Sequence, residues 1–395
     1  MTQNQQDFFR YQAQTTNYAS GFEVSHAEGN YIYGKDGKAY LDFEAGVSAN
    51  TLGHSHPAVL QAVIEQSKRY MHVMVYGEYC QDEPVALCKL LAENTPEPLE
   101  TTYLVNSGTE AIEGSIKLAK RYTGRDEIIS AKNAYHGNTQ GSMSVMGCEE
   151  QKQAFRPLIP NVKFIEYNNE ADLELITERT AGVLLETIQG AAGFITPINN
   201  YLQKVKKRCE EVGALLIFDE IQPGFGRTGN LFGFQTFDVV PDIVAMGKGM
   251  GGGMPIGAFM ASYEMMSCLR EAPKLGHITT FGGHPVIAAA AHATLKTVLE
   301  SNLMQEAVEK EKIFRKLLVH PKIEEVRGVG LMLACRLRSP EYVQTIAQYC
   351  MNEGLILFWL LFSTEYLRIT PPLTITNEEI EKGCAIILKA LDACE

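Results

Sequence analysis

The chain has 395 residues, 45% of them hydrophobic, so it can bury a large core and is long enough for two domains. Its formal net charge of -12 argues against nucleic acid as a partner, because a phosphate-binding surface needs clustered lysine and arginine. Nine cysteines at irregular spacing, without a Cys-x-x-Cys pair, indicate reduced thiols and exclude a disulfide framework or a zinc site. Cys394, near the end of the sequence, is expected to be exposed.

The N-terminal residues have neither the positively charged start nor the apolar stretch of a signal peptide. No apolar run approaches the ~18 residues of a membrane span. We therefore predict a cytoplasmic protein without a membrane partner. After this arm, residues 30–43 read as two strands joined by a Lys-Asp-Gly turn. The string Gly53-His-Ser-His-Pro lacks acidic or cysteine companions, so it reads as a loop into a helix over residues 58–70 and not as a metal site.

Residues 102–120 combine a short strand, a turn of small residues and an amphipathic helix. Backbone N–H groups at a helix start form an anion site, and here the Ser107 and Thr109 hydroxyls and the bare backbone of Gly108 would add to it. The turn is thus a candidate phosphate site. An ordinary N-cap by Ser107 explains the same residues equally well.

A helix over residues 202–212 feeds a hydrophobic strand over residues 214–218, which ends at Asp219. The carboxyl ends of parallel strands open onto the ligand crevice of an α/β sheet. A carboxylate at that position can hold the protonated pyridine nitrogen of pyridoxal phosphate. An aspartate that caps a helix or turn is the alternative.

The next apolar strand leads to Lys248, within Gly247-Lys-Gly-Met-Gly-Gly. A lysine among apolar and glycine residues can lose its hydration and become a nucleophile. A solvated lysine in a glycine-rich turn is the alternative. The string also fits the dinucleotide pattern Gly-x-Gly-x-x-Gly, but the residues after it do not open a helix, which argues against a nicotinamide dehydrogenase. Lys248 and Asp219 follow successive strands, so we expect them to face a common site.

Helices and apolar strands alternate from about residue 50 to residue 295. This alternation predicts an α/β large domain over 50–295, with a mainly parallel sheet flanked by helices. A smaller α+β domain is predicted over residues 296–395. The N-terminal arm and strand pair, residues 1–49, are expected to pack with it.

Two helices and one apolar run stand out in the last third of the chain. A long Ala-rich helix is predicted over residues 285–299, and a final helix over residues 377–394. The run at residues 355–362, which holds the only tryptophan, predicts a buried strand. A place for Trp359 in a substrate pocket is the alternative.

Eight short strings follow one another in the order found in a known family. The chain resembles the class III aminotransferases, pyridoxal-phosphate enzymes of fold type I that include ornithine, acetylornithine and 4-aminobutyrate aminotransferases. The strings are Gly53-His-Ser-His-Pro, Asn106-Ser-Gly-Thr-Glu-Ala, Ala134-Tyr-His-Gly, Glu186-Thr-Ile-Gln-Gly, Asp219-Glu-Ile-Gln, Gly247-Lys-Gly, Thr279-Thr-Phe-Gly-Gly-His-Pro and Leu367-Arg-Ile-Thr-Pro-Pro-Leu.

The resemblance implies a role for each residue at the cofactor. Lys248 would hold pyridoxal phosphate as an internal aldimine and then shuttle a proton, and Asp219 would pair with the pyridine nitrogen. Gln222 would hydrogen-bond the phenolic oxygen of the ring, and Tyr135 would stack on the ring unless it is an ordinary core aromatic. The remaining cofactor-binding residues would be Ser107, Gly108, Thr109, His136, Glu186 and, from the other subunit of a homodimer, Thr280.

For the substrates, the resemblance makes Arg368 the residue that grips a carboxylate, a task that suits the guanidinium fork. A surface arginine at a strand end is the alternative. The chain departs from the family at two positions. Ala191 stands where many members carry a glutamate that neutralises this arginine, and Asn138 stands where the ornithine, acetylornithine and 4-aminobutyrate enzymes usually carry an arginine for the donor's carboxylate.

The resulting prediction is a pyridoxal-phosphate-dependent aminotransferase. It would move an amino group from an ω-amino acid or diamine donor to a 2-oxo acid such as 2-oxoglutarate. A lyase, mutase or racemase with the same cofactor is the alternative, because the sequence does not show which substrate bond is held perpendicular to the ring. Arg227 is a further candidate cation that the sequence does not place.

Overall fold

A computed structural model describes residues 1–394, whose strands form three sheets. In chain order the strands are β1 (Val24–Glu28), β2 (Tyr31–Gly34), β3 (Ala39–Asp42), β4 (Thr101–Val105), β5 (Glu127–Ala131), β6 (Val162–Ile165), β7 (Thr180–Glu186), β8 (Leu215–Asp219), β9 (Ile243–Gly247), β10 (Gly257–Ala261), β11 (Ile323–Val329), β12 (Met332–Leu337), β13 (Leu355–Ile356), β14 (Phe358–Trp359) and β15 (Tyr366–Ile369).

The longer helices include those predicted from the sequence. They span Gln3–Tyr11, Pro57–Arg69, Asp82–Glu93, Gly108–Thr123, Tyr201–Val212, Pro285–Glu300, Leu303–Leu317, Pro340–Glu353 and Asn377–Ala393. Shorter helical segments lie at Gln140–Ser144, Glu149–Lys152, Gln153–Phe155, Glu170–Leu175, Gly233–Thr236, Tyr263–Ser267, Lys248–Gly251 and Cys268–Arg270. None of the helices within residues 1–394 is long and apolar enough to cross a membrane.

The largest sheet has seven strands in the order β4-β10-β9-β8-β7-β5-β6. β6, β5, β7, β8 and β9 pair in parallel, and only β10 runs antiparallel to its neighbours β9 and β4. β5, β7 and β9 are buried along their whole length, as expected for strands covered by helices on both faces. The predicted α/β fold with a mainly parallel sheet is confirmed.

Two four-stranded sheets surround a second hydrophobic core. β1, β2, β3 and β13 form one, in which β2 and β3 are the predicted strand pair and β3 pairs in parallel with β13 near the other end of the chain. β11, β12, β15 and β14 form an antiparallel sheet. Leu41 and Phe43 share a hydrophobic cluster with Phe314, Leu333 and Ile387. These contacts join the N-terminal strands to the C-terminal segment, while the division into domains stays a prediction.

Two predictions for the C-terminal segment are wrong. Residues 355–362 do not form one buried strand, because the chain passes from one sheet to the other: β13 pairs with β3 and β14 pairs with β15. Phe358 and Leu361 are exposed as a result, at 47% and 45%. Cys394 is buried and not exposed, because the end of the last helix packs its side chain into the second core.

Candidate active site

The carboxyl ends of β7, β8 and β9 open onto a cavity of about 530 Å³. This is the position at which parallel sheets bind ligands. The cavity is lined by Val47, Gly108, Thr109, Tyr135, His136, Gly137, Asn138, Glu186, Ala191, Asp219, Ile221, Gln222, Pro223, Lys248, Phe358, Trp359, Leu361 and Arg368.

Lys248 directly follows β9 and adopts a positive φ of 41°, a backbone conformation that is unfavourable for a residue with a side chain. Burial lowers the pKa of its amine, which the negative charge of Asp219 opposes. A Cβ on the preceding Gly247 would lie 3.3 Å from Gly108 Cα. The glycine therefore allows the lysine to stand close to the start of the helix Gly108–Thr123.

Asp219 ends β8 and is held by two donors. His136 Nδ1 donates to Asp219 Oδ2 at 2.7 Å, and the backbone N–H of Ile221 donates to Oδ1 at 3.0 Å. The other ring nitrogen of His136 lies 3.3 Å from Ser130 Oγ. His136 is fully buried, so this network fixes the carboxylate at the cavity wall.

Glu186 ends β7 in register with Asp219. Its carboxylate accepts from the backbone N–H groups of Gly190 at 2.9 Å and Tyr135 at 3.3 Å. Burial raises the pKa of Glu186 to about 7, an effect that His136 opposes and Asp219 reinforces. These hydrogen bonds anchor the backbone that carries Tyr135 and the turn that leads to Ala191.

Ser107 caps the helix Gly108–Thr123, since its hydroxyl accepts from the Glu110 N–H at 3.4 Å. Gly108 and Thr109 line the cavity, whereas Ser107 is not among the wall residues. Thr109 Oγ1 is already 2.6 Å from Ser142 Oγ and 2.8 Å from Thr139 Oγ1. The helix start thus presents backbone donors and a cluster of hydroxyls at one end of the cavity.

Tyr135, Asn138 and Gln222 line the same cavity as Asp219 and Glu186, the residues that end two neighbouring strands. Asn138 Nδ2 donates to the Tyr135 hydroxyl at 3.1 Å. Gln222 Nε2 donates to Ser48 Oγ at 3.4 Å, and its second N–H can serve another acceptor. Burial raises the pKa of the Tyr135 phenol, so it is a neutral group at ordinary pH.

Arg368 lies in β15 and is 8% exposed, so it is a wall residue of the cavity and not a surface arginine. Its Nη1 is 3.4 Å from Glu44 Oε2, a carboxylate that is itself 6% exposed. Arg368 Nε and Glu44 Oε1 are buried without a hydrogen-bond partner. The guanidinium therefore keeps unused donors for a ligand.

The outer wall of the cavity is apolar. Phe358 and Trp359 form β14, Leu361 lies in the connection from β14 to β15, and Val47 is the fourth apolar side chain of this wall. Val47 belongs to the turn Ala45–Ser48, in which all four residues have φ between 49° and 66°. Such a left-handed turn is unfavourable for residues with side chains, and it is often retained at functional sites.

Several sequence candidates lie elsewhere. Thr280 is exposed and does not line the cavity of its own chain. Arg227 is fully buried and donates to the carbonyls of Leu331 and Pro371, so it holds loops together and does not face the cavity. His54 pairs with Asp42 at 2.8 Å.

Glu44, Val47 and Ser48 are residues of the site that the sequence does not predict, and Trp359 lines the cavity although its apolar run predicts a core position. Glu44 follows Asp42 just after β3, and an acidic pair at a strand end was the one available signal. Nothing in the local sequence shows that Glu44 meets Arg368, which is 324 residues away.

The chain is similar to aminotransferases both in sequence and in fold. The family described as Aminotransferase class-III matches residues 11–391. The acetylornithine aminotransferase of Methanopyrus kandleri is 38% identical over 369 residues, which are 93% of each chain. A [LysW]-aminoadipate semialdehyde/glutamate semialdehyde transaminase of Sulfolobus acidocaldarius is 33% identical over 94% of this chain and 95% of its own.

A solved structure gives the same result for the fold. The ornithine aminotransferase of Toxoplasma gondii, in a crystal form described as having pyridoxal phosphate at partial occupancy in the active site, has a TM-score of 0.90 and 30% identity. The match covers 98% of this chain and 94% of that one.

Proposed function

The chain belongs to the class III aminotransferase family, and we propose that it moves an amino group from an ω-amino acid or diamine donor to a 2-oxo acid at the cavity that Lys248 and Arg368 share. The protein is an aminotransferase that depends on pyridoxal phosphate. The observation that carries the proposal is one cavity holding a desolvated amine, a carboxylate at the next strand end and a buried arginine. The comparisons do not favour a lyase, mutase or racemase.

The cavity residues fit pyridoxal phosphate. Lys248 supplies an amine whose pKa is lowered by burial, as covalent attachment to an aldehyde requires. Gly108 and Thr109 supply a helix start for the phosphate, and a Cβ at Gly108 would come 2.8 Å from Ile221 Cδ1, so the backbone there is kept bare. Asp219 supplies an anchored carboxylate for a protonated ring nitrogen.

When bound, the cofactor supplies an electron sink for the pair of electrons left when the donor carbon loses its proton. Asp219 would accept a hydrogen bond from the ring nitrogen, with His136 holding its second oxygen. Gln222 would bond the phenolic oxygen and Tyr135 would cover the ring face. Lys248 Nζ would first hold the cofactor and then, once free, move a proton as general base and acid.

The substrate class follows from the charges on the wall. Lys248 and Arg368 are the cations that line the cavity in the described residues 1–394, and Asn138 and Ala191 add none. In an amino-transfer cycle both substrates use one site, so a donor carboxylate and an acceptor carboxylate would share Arg368. A donor with its reacting amine at the far end from its carboxylate, or with no carboxylate, fits this wall and the apolar surface of Trp359 and Leu361.

A donor screen tests this proposal. The purified, cofactor-loaded enzyme is given 2-oxoglutarate or pyruvate with ornithine, acetylornithine, 4-aminobutyrate, putrescine, lysine or β-alanine, and the aminated acceptor is quantified. We expect ω-amino acids or diamines to give the highest kcat/KM. Transfer from α-amines alone would contradict the donor assignment.

Asn138→Arg should shift the donor preference. The new guanidinium at the cavity wall is expected to lower the KM of donors that carry an α-carboxylate by about tenfold, through a charge-assisted hydrogen bond. The KM of putrescine, which has no carboxylate, should not fall. Asn138→Gln adds bulk without charge and is the matched control; an equal effect of both variants on ornithine would refute the electrostatic explanation.

We infer that the active enzyme is a homodimer in which Thr280 reaches the phosphate site of the other subunit. Support comes from exposed apolar side chains in two segments that meet where the His72 ring contacts the Phe281 ring: Leu275, Ile278 and Phe281 lie around Thr280 in the chain, and Met71, Met74 and Tyr79 lie around His72. Contiguous exposed apolar surface of this kind is typical of protein interfaces. Asn106, which precedes the helix Gly108–Thr123, donates to Thr279 at 2.7 Å, so the segment that carries Thr280 is anchored to its own chain.

Light scattering should give a particle of twice the 43.8 kDa chain mass. Thr280→Ala should leave that mass unchanged and weaken cofactor retention by about tenfold, the loss expected for one hydrogen bond to a charged group. Thr345→Ala, on an exposed helix position, is the control. A monomer that retains the cofactor normally would disprove both the dimer and the role of Thr280.

A further inference from the structure

The counter-charge of Arg368 comes from an unexpected part of the chain. Ala191, on the same cavity wall, carries no charge, and the carboxylate paired with Arg368 within residues 1–394 is that of Glu44. Glu44 follows β3 and lies next to the left-handed turn Ala45–Ser48. Its backbone N–H donates to Asp42 Oδ1 at 2.8 Å, and its carbonyl accepts from Thr370 Oγ1 at 3.2 Å, so its position beside β15 is held from both sides.

The pair is buried but poorly satisfied. One contact of 3.4 Å joins Arg368 Nη1 to Glu44 Oε2, while Arg368 Nε and Glu44 Oε1 have no partner. Burying these two charged groups with unpaired atoms costs free energy. The cost falls when a ligand pairs with the guanidinium or when a proton neutralises the carboxylate. The ion pair is therefore suited to being exchanged and not to holding the fold together.

We propose that Glu44 competes with the substrate carboxylate for Arg368, so that binding of a dicarboxylate is coupled to uptake of a proton by Glu44. An anionic Glu44 neutralises the guanidinium and repels an incoming carboxylate. Once it takes a proton from solvent and becomes a neutral acid, the whole charge of Arg368 is available to the substrate. Glu44 is thus a positioning and specificity-determining residue, and the inference rests on the proposed role of Arg368 in the amino-transfer reaction.

The surroundings of Glu44 determine the pH at which this exchange occurs. Burial raises the pKa of Glu44 to about 8, Arg368 and the backbone N–H of Phe358 oppose that rise, and Asp42 reinforces it. Arg227 is the other nearby cation, and His54 lies 2.8 Å from Asp42. Because the raised pKa keeps the acid neutral below about pH 8 and anionic above it, dicarboxylate affinity should be high at neutral pH and fall as the pH rises.

The test uses glutarate, an unreactive dicarboxylate, and the cofactor-loaded enzyme, so that binding is measured apart from turnover. Titration calorimetry at about pH 7 and about pH 9 should show the Kd of the natural protein rising about tenfold, the limit for one proton per pH unit above the pKa. Glu44→Gln keeps the shape without the charge, so its Kd should stay level and be about tenfold lower than that of the natural protein at the higher pH.

Glu127→Gln is the matched control, since Glu127 is a buried glutamate paired with Lys163 at 2.7 Å in the large sheet, away from the cavity. The Kd of Glu127→Gln for glutarate should rise with pH as it does in the natural protein. The same pH dependence in Glu44→Gln and in the natural protein would overturn the proposal. If Glu44→Gln fails to fold, calorimetry of the natural protein in two buffers of different ionisation enthalpy still decides: uptake of a fraction of a proton above about pH 8 supports the coupling, and no uptake refutes it.

The donor screen distinguishes failure of the proposed function from failure of the role of Glu44. Absence of glutarate binding at both pH values overturns the coupling, and the donor screen then shows whether the enzyme still transfers amino groups. A working transfer reaction without glutarate binding would remove Arg368 from dicarboxylate recognition but leave the aminotransferase assignment in place.

Discussion

Lys248→Met should abolish the visible absorbance of the covalently held cofactor and lower turnover by at least about 10³-fold. The substitution keeps the length and apolar stem of the side chain but removes the amine that both holds the cofactor and moves the proton. No other lysine lines the cavity within residues 1–394, so no neighbouring amine can take over. Absorbance spectra and steady-state rates on the same preparation measure the two losses together.

Lys152→Met is the matched control for this variant. Lys152 is also buried, donates to the Met146 carbonyl at 2.6 Å, and has an amine pKa lowered by burial, but it lies outside the cavity. Its replacement should leave the spectrum and the rate per folded molecule unchanged. Normal absorbance and turnover in Lys248→Met would show that the assignment of the site is wrong.

Arg368→Met should raise the KM for 2-oxoglutarate by about 10²-fold or more while cofactor absorbance stays normal. Hydrogen bonds to charged groups contribute about 1.5–3 kcal/mol each, and a guanidinium can make two of them to one carboxylate. Arg368→Lys keeps the positive charge but loses the paired N–H donors of the guanidinium. Its KM for 2-oxoglutarate should therefore lie between those of the natural protein and of Arg368→Met.

Arg336→Met serves as the control because Arg336 lies on the neighbouring strand β12, pairs with Glu324 at 3.3 Å, and does not line the cavity. Its kinetics should match those of the natural protein. Parallel losses of cofactor binding and acceptor binding in Arg368→Met would mean that the residue supports the structure of the site and does not recognise the substrate.

The residues at the carboxyl ends of the large sheet could be predicted from the sequence for a physical reason. An apolar run that ends abruptly in Asp219, and the next one that ends at Lys248, are successive parallel strands whose ends meet at one edge. A phosphate site at the turn before the helix Gly108–Thr123 could also be predicted, because phosphate binding at a helix start depends on local residues alone.

The rest of the site depends on contacts that local sequence does not encode. Glu44 meets Arg368 only because β3 pairs with β13 and the chain then crosses to β14 and β15. The same crossing brings Trp359 to the cavity wall and exposes Phe358, although the run is as apolar as a buried strand. Long-range pairing of this kind decides which face of a short apolar segment is buried.

One single-turnover measurement tests the central claim most directly. The cofactor-loaded enzyme is mixed with its best donor and no acceptor, and both the absorbance and the deaminated product are followed until they stop changing. An aminotransferase should stop after one product molecule per active site, with the cofactor in its aminated form, and adding 2-oxoglutarate or pyruvate should restore the original spectrum. Continued formation of the deaminated product without any acceptor would contradict amino transfer and would indicate lyase chemistry at the same cavity, and an unchanged spectrum without deaminated product would contradict it in favour of a mutase or racemase.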